Sequence, residues 1–357
     1  MKLRAWIKQH QIVAFYAITF AISWGLPIPF VDAFRRGADF LFPLFVIAVC
    51  GPALAAIIVA ALSNTEERLP KTRATTVAFL LAWIVSTFVF VAYNTFVNHV
   101  PFSPGLVAFI LVSVVPVPLV VSRAFSRTPS VKRLVSSLVK PRGGVVWYLL
   151  ALLLKPILMC ISIPVSTVLD RGTGSTDGLP AFGWESAGLV LTVFLYQFLF
   201  FNATGEEVGW RGFAVPRLQA KTSPLIACLI VGLLWAPWHA PLWYAQGAPI
   251  FTWDFWITRF LVIVPSSVIS GWLYNRSRGS ILVVGIAHAM SNTLGNVVVL
   301  GPQLDERSIG LTWLVFAVLL VVLDKMWEKL PSNHPAVYRS PEHAVQQVAG
   351  ANAAAMR

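Results

Sequence analysis

Two adjacent carboxylates, Glu206 and Glu207, lie in Gly205-Glu-Glu-Val-Gly-Trp-Arg-Gly212, directly after the apolar run 188–202. Only 15 of the 357 residues are Asp or Glu, and nearly all the others fall in loops or at the ends of apolar runs. Ionisable groups at membrane depth are costly, so by default they point to function. On a helix, neighbouring residues point about 100° apart, whereas residues four apart share a face. Arg211 can therefore neutralise Glu207 and leave Glu206 free to act on a water. The competing reading is a helix-end ion pair at the membrane surface.

Two further stretches carry side chains able to move or hold a proton. In Trp235-Ala-Pro-Trp-His239-Ala-Pro-Leu-Trp243, His239 sits in an aromatic run flanked by Pro237 and Pro241. The prolines release backbone groups and bend a helix, as happens where a cavity is lined. A neutral imidazole accepts or relays protons near neutrality, although a histidine in an aromatic belt at the membrane interface fits the same residues. In Ala287-His288-Ala-Met-Ser-Asn292, the spacing puts His288 and Asn292 on one helical face, where they could donate to a developing oxyanion. Interhelical hydrogen bonding is the plainer alternative.

These groups need a scaffold. The chain is 57% hydrophobic and 12% charged, against about 25% charged for a soluble domain, so it is an integral membrane protein. The net charge of +12 does not indicate nucleic acid, because Lys and Arg are scattered over short loops between apolar runs, as the positive-inside rule produces. The expected fold is all-α, a polytopic bundle of about ten spans around an intramembrane polar cavity. The spans fall at about 11–30, 40–62, 75–96, 104–121, 145–168, 187–205, 223–244, 256–274, 280–300 and 309–324. The first is read as an uncleaved helix, since no small-x-small site follows it. Pro116 and Pro118 predict a kink or re-entry in the fourth. The Lys and Arg residues alternate between loops in a way that sets both termini on the cytoplasmic side of a bacterial-type plasma membrane. Three regions follow: a front of about four spans with a basic loop (1–143), a catalytic membrane domain (144–327) and a loose tail (328–357). The loop at about 122–143 is expected to lie on the membrane surface as an amphipathic helix.

Some positions are left without a role. Cys50, Cys160 and Cys228 show no ligand spacing and are expected to pack. Lys155 lies deep in an apolar run, where it could snorkel, pair with a carboxylate or line the cavity. Asp254 and Arg259 mark an interface, and His10, His99, His334 and His343 are background. One tension concerns depth. His239 lies about 25 Å along a straight helix starting near Thr222, while a span ending at 205 leaves Glu206 much shallower. The two meet only if a helix ends in a cavity, tilts, starts late or re-enters.

Glu206-Glu207-x-x-x-Arg211, Trp235-x-x-x-His239 and His288-x-x-x-Asn292, in that order, resemble the three-motif signature of the CPBP family of CAAX proteases and bacteriocin-processing enzymes. The resemblance covers about residues 186–300. It departs from the family pattern at Trp235, where Phe is usual, an exchange expected to alter only local pocket shape. The resemblance implies that Glu206 activates water with help from His239, that His288 and Asn292 form the oxyanion hole or complete the polar site, and that Glu207 and Arg211 support the geometry. The family is often labelled metalloprotease, and a metal-free glutamate mechanism is also proposed for it. Glu206, His239 and His288 could supply three ligands of a catalytic zinc, but the chain lacks His-Glu-x-x-His, and the metal-free version is preferred. The expected activity is intramembrane endopeptidase, of the CAAX-processing type. Its substrate would be a prenylated CAAX protein, a bacteriocin-like peptide or another membrane protein, met within the lipid bilayer. Two other classes compete: a non-catalytic immunity or scaffold protein that keeps the polar cluster, and a proton-coupled transporter, for which no inverted repeat is visible.

Overall fold

The computed structural model describes residues 2–169, 184–297 and 305–339. Every regular element among them is helical. After a short helix α1 (Lys2–Gln9), eight helical stretches are long and apolar enough to cross a membrane. A ninth is a pair bent by 52°, α3 (Phe42–Val49) and α4 (Gly51–Leu62), which follows α2 (Gln11–Gly25). The remaining expected span is the shorter apolar helix α13 (Ile281–Val297). Among the described residues each of the ten sequence-predicted spans thus falls on helix, and the chain is a polytopic helical bundle.

The helices start where local chemistry lets them. Ser103 caps α6 (Pro104–Ser113), accepting from the Leu106 N–H at 3.1 Å, with Pro104 at the first position, where no N–H is needed. Ser223 caps α11 (Pro224–Trp238) in the same way, and Thr252 caps α12 (Trp253–Arg276). Pro116 breaks the fourth span as predicted: α6 gives way to α7 (Pro116–Val121) within the stretch Pro104–Phe125.

Two expectations change. The basic loop does form an amphipathic helix, α8 (Pro129–Val139), but Val131, Leu134, Val135 and Leu138 are buried in the protein core and not laid on lipid. Ser130 donates to the Ala60 carbonyl at 2.8 Å, and Arg133 forms a two-point ion pair with Glu66, so α8 is fixed to the end of α4. Of the three cysteines, Cys50 and Cys228 are buried as expected, while Cys160 is exposed on α9 (Val145–Val168).

The largest difference is in the sixth span. It does not stop at 205 but runs from Ala187 to Gln219, 33 residues. It begins as α10 (Trp184–Gln197), winds as π-helix over Phe198–Glu207 and Trp210–Ala214, and closes with Val215–Gln219. π-Helical turns are uncommon and concentrate at functional sites. Glu206 is therefore thirteen residues inside the Gln219 end, about 20 Å, and His239 is fifteen residues from Pro224, about 22 Å. The continuous helix removes the depth conflict without re-entry.

At the far end of α12, Asp254 pairs with Arg307 and Arg259 with Glu306, joining α12 to α14 (Glu306–Leu323). Beyond Leu330 the chain is anchored at two points: Ala336 is buried and its carbonyl accepts from Gln219 Nε2 at 2.9 Å, and the Tyr338 N–H donates to the Pro216 carbonyl at 3.0 Å. The rest of the expected tail, 340–357, lies outside the described residues.

Candidate active site

The Gly-Glu-Glu motif is held in place by close backbone packing. A Cβ on Gly209 would stand 2.5–2.6 Å from Pro52 atoms, so only glycine lets the π-helix lie against the bend between α3 and α4. On its other side α13 (Ile281–Val297) approaches as closely: a Cβ on Gly285 would be 2.6 Å from Ala203 Cβ. Small residues at such contacts are the usual means of bringing membrane helices together. Aromatic rings support the motif from the front spans. Phe15 stacks on Phe213 at 5.1 Å and meets Trp210 edge-on at 5.7 Å, and Trp210 meets Trp238 edge-on at 5.7 Å.

Within this frame the two glutamates have different surroundings. Glu207 is fully buried. Its Oε1 receives Arg211 at 3.0 Å, the i,i+4 pair predicted from spacing, and also His288 Nδ1 at 2.8 Å. Arg211 is equally buried and lies over the Trp235 ring, 4.7 Å from its centroid. The hydrogen bonds to Glu206 come from neutral donors: Trp235 Nε1 at 2.7 Å to Oε2, and Asn202 Nδ2 at 3.4 Å to Oε1. Glu206 is only 4% exposed, so it faces the protein interior.

Trp235 links the parts. Its ring meets His288 edge-on at 5.2 Å, and its main-chain carbonyl accepts from His239 Nδ1 at 2.8 Å. Because a carbonyl only accepts, Nδ1 of His239 carries the proton and Nε2 presents its lone pair. His288 likewise turns Nδ1 to the Glu207 carboxylate, so Nε2 of both rings points away from these partners. His239 is held between aromatic faces, stacked on Trp243 at 4.7 Å and edge-on to Trp238 at 4.7 Å. A small pocket of about 20 Å³, room for one water, is lined by His239, Trp238, Ser23 and Val49.

The structure thus joins Glu206, Glu207, Arg211, Trp235 and His288 by direct contact and brings His239 in through Trp235. Asn292 is half-buried, one turn beyond His288 on α13. The Trp235 exchange is more than a change of pocket shape. An indole supplies a hydrogen-bond donor to Glu206 that phenylalanine lacks. Sequence reading missed Asn202; its signal was a polar amide four residues before Glu206 in an apolar run. Lys155 does not snorkel. It is 1% exposed, donates to Ser266 Oγ at 2.7 Å, sits 3.6 Å from the Trp313 ring centroid and interacts electrostatically with Glu207 and Arg211.

A metal held by Glu206, His239 and His288 does not fit this arrangement. Among the described residues no three His, Cys, Asp or Glu side chains converge as a ligand set. His288 is directed to Glu207, not Glu206, and Trp235 occupies the Glu206 carboxylate.

Fold and site together define a multi-span membrane protein with a buried glutamate–histidine centre assembled from three helices. Residues 188–294 match the family described as type II CAAX prenyl endopeptidase Rce1-like. The chain is also 30% identical over 184 residues to CAAX prenyl protease 2 of Methanococcus maripaludis, an alignment covering 50% of this chain and 66% of that relative. The chain is thus similar to CAAX proteases over the residues that carry the site, and it spans 66% of that relative's length.

Proposed function

We propose that this chain is an intramembrane endopeptidase of the CAAX-processing type, with Glu206 as the group that activates water. The observation that carries the reading is the division of labour between adjacent carboxylates: Glu207 is committed to Arg211 and His288, while Glu206 meets neutral donors. A carboxylate without a cationic partner keeps its capacity to take a proton. In the proposed reaction the water oxygen bonds to the scissile carbonyl carbon as its proton passes to Glu206, with His239 Nε2 orienting the water. The oxyanion is met by His288, whose ring Glu207 holds in place, together with Asn292. The C–N bond then breaks and Glu206 returns its proton to the leaving amine. No step requires a metal.

The name of the archaeal relative favours a prenylated C-terminal segment as substrate over a bacteriocin-like peptide. The basic loops favour both termini on the cytoplasmic side. The region 144–327 is the catalytic unit in this reading, with the front spans supplying a supporting wall through Phe15 and Pro52.

The test compares membrane and secreted peptides from cells carrying the wild-type chain or Glu206→Gln at equal expression. Glutamine keeps the shape and can still accept from Trp235. A new C-terminus present only with wild type supports the peptidase and names its substrate. Identical peptide profiles with a shared phenotype would replace it with a non-catalytic membrane partner.

A further inference from the structure

Away from the site, an open groove of about 470 Å³ runs along α5 (Ala74–Phe96). Its floor is small: Ala74, Ala78 and Ala82 recur every fourth residue on one face of α5. Val117 and Val121 of the fourth span and Leu199 of the sixth form the opposite wall, and Ser86 is the one polar residue lining it. From Ala74 to Val85 the groove is eleven residues long, about 17 Å, close to half of a hydrocarbon core about 30 Å thick. It therefore has the length and lining to hold one hydrocarbon chain of one leaflet.

One end of the groove is strongly basic. Thr75 Oγ1 donates to the Phe125 carbonyl at 2.8 Å, the Leu69 N–H donates to the Arg127 carbonyl at 2.8 Å, and Arg127 Nε returns to the Leu69 carbonyl at 3.0 Å. These bonds tie segment 68–75 to segment 123–127, the two segments that carry Arg68, Lys71, Arg73, Arg123 and Arg127. None of the five has a carboxylate partner among the described residues; Glu66 nearby is taken by Arg133. The same end is the N-terminus of α5, which has no acidic residue in its first turn and no side-chain cap. Its first intrahelical bond is Val77 N–H to the Arg73 carbonyl, 3.0 Å, so the N–H groups of 74–76 open toward the mouth.

An apolar trough one leaflet long, ending beside guanidinium groups without carboxylate partners and a helix N-terminus, matches an amphiphile with a hydrocarbon chain and an anionic head. We propose that the groove binds an anionic phospholipid from the leaflet on the basic-loop side, with an acyl chain along α5 and the phosphate at Arg73, Arg123 and the start of α5. Such basic clusters at a membrane surface attract anionic lipid. The groove adds a fixed seat for the chain. The inference stands independently of the peptidase reading.

Native mass spectrometry of delipidated full-length protein in detergent tests it, with phosphatidylglycerol and phosphatidylcholine of identical chains as probes. The expected result is one saturable phosphatidylglycerol, held about tenfold or more tighter than phosphatidylcholine. The surface double variant Arg73→Ala/Arg123→Ala should abolish the preference. Ala78→Trp, which fills the floor, should remove phosphatidylglycerol binding with the basic cluster intact, provided the variant elutes as wild type on size exclusion. Equal affinity for the two lipids, or a preference that survives Arg73→Ala/Arg123→Ala, would overturn the proposal. So would displacement of phosphatidylglycerol by a farnesylated tetrapeptide, which would reassign the groove to a prenylated ligand.

Discussion

Breaking the Glu207–Arg211 pair separates its structural role from its chemical one. Both side chains are fully buried, 3.0 Å apart, and removing one partner of a buried ion pair costs about 3–5 kcal/mol, because the other charge is left uncompensated. The two halves should not cost the same. After Arg211→Met, Glu207 still has His288 at 2.8 Å, so the loss should lie near about 3 kcal/mol. After Glu207→Gln, Arg211 keeps the Trp235 ring at 4.7 Å, while its Nε and one terminal nitrogen have no hydrogen-bond partner. That loss should lie near about 5 kcal/mol. At about 2 °C per kcal/mol, these correspond to melting points lower by about 6 and 10 °C. The double variant Glu207→Gln/Arg211→Met removes both charges and should recover most of the stability, since neutral groups of similar volume often replace a buried pair without loss. It should not recover peptide cleavage, because His288 still lacks its carboxylate; activity should stay down by about two to four orders of magnitude. Thermal unfolding of purified protein in detergent, alongside cleavage of a fixed substrate, reads both quantities. Single variants as stable as wild type, or a double variant as unstable as the worse single, would refute the reasoning.

Gly285→Val should push α13 away from Ala203 and part His288 from Glu207; overpacking of this kind costs about 1–3 kcal/mol, and the loss of activity should exceed what the melting shift explains. Trp235→Phe keeps the ring against Arg211 and His288 but removes the N–H bonded to Glu206. A hydrogen bond to a charged group is worth about 1.5–3 kcal/mol, so kcat should fall about tenfold to a hundredfold with KM little changed; an unchanged kcat would show that the indole N–H does not position Glu206. Outside the membrane spans, the bond from Arg133 holds the Glu66 carboxyl below its ordinary value of 4.5. Its contribution is therefore present above that value and is lost as pH falls through the lowered one. Because the pair is partly exposed, the effect should be at most about 1 kcal/mol; melting points from pH 7 to pH 3 should show a small acid-dependent component that Arg133→Ala removes.

Much of this protein follows from local rules. A chain this apolar cannot avoid the membrane, and in lipid each span must satisfy its backbone within a helix, so ten helical stretches were readable before any packing was known. The i,i+4 spacing paired Glu207 with Arg211 for the same reason: periodicity alone sets which side chains share a face. Periodicity does not set which face meets which. His288 reaches Glu207 and not Glu206 because Gly285 lets α13 come in against Ala203. Trp235 reaches Glu206 because the sixth span continues through its π-helical turns to Gln219, which puts the two at matching depth. The apolar face of α8 turns inward because the bundle leaves a surface for it beside α4 and the motif. These outcomes depend on contacts between segments distant in sequence, and the roles of two adjacent, identical glutamates were decided by those contacts.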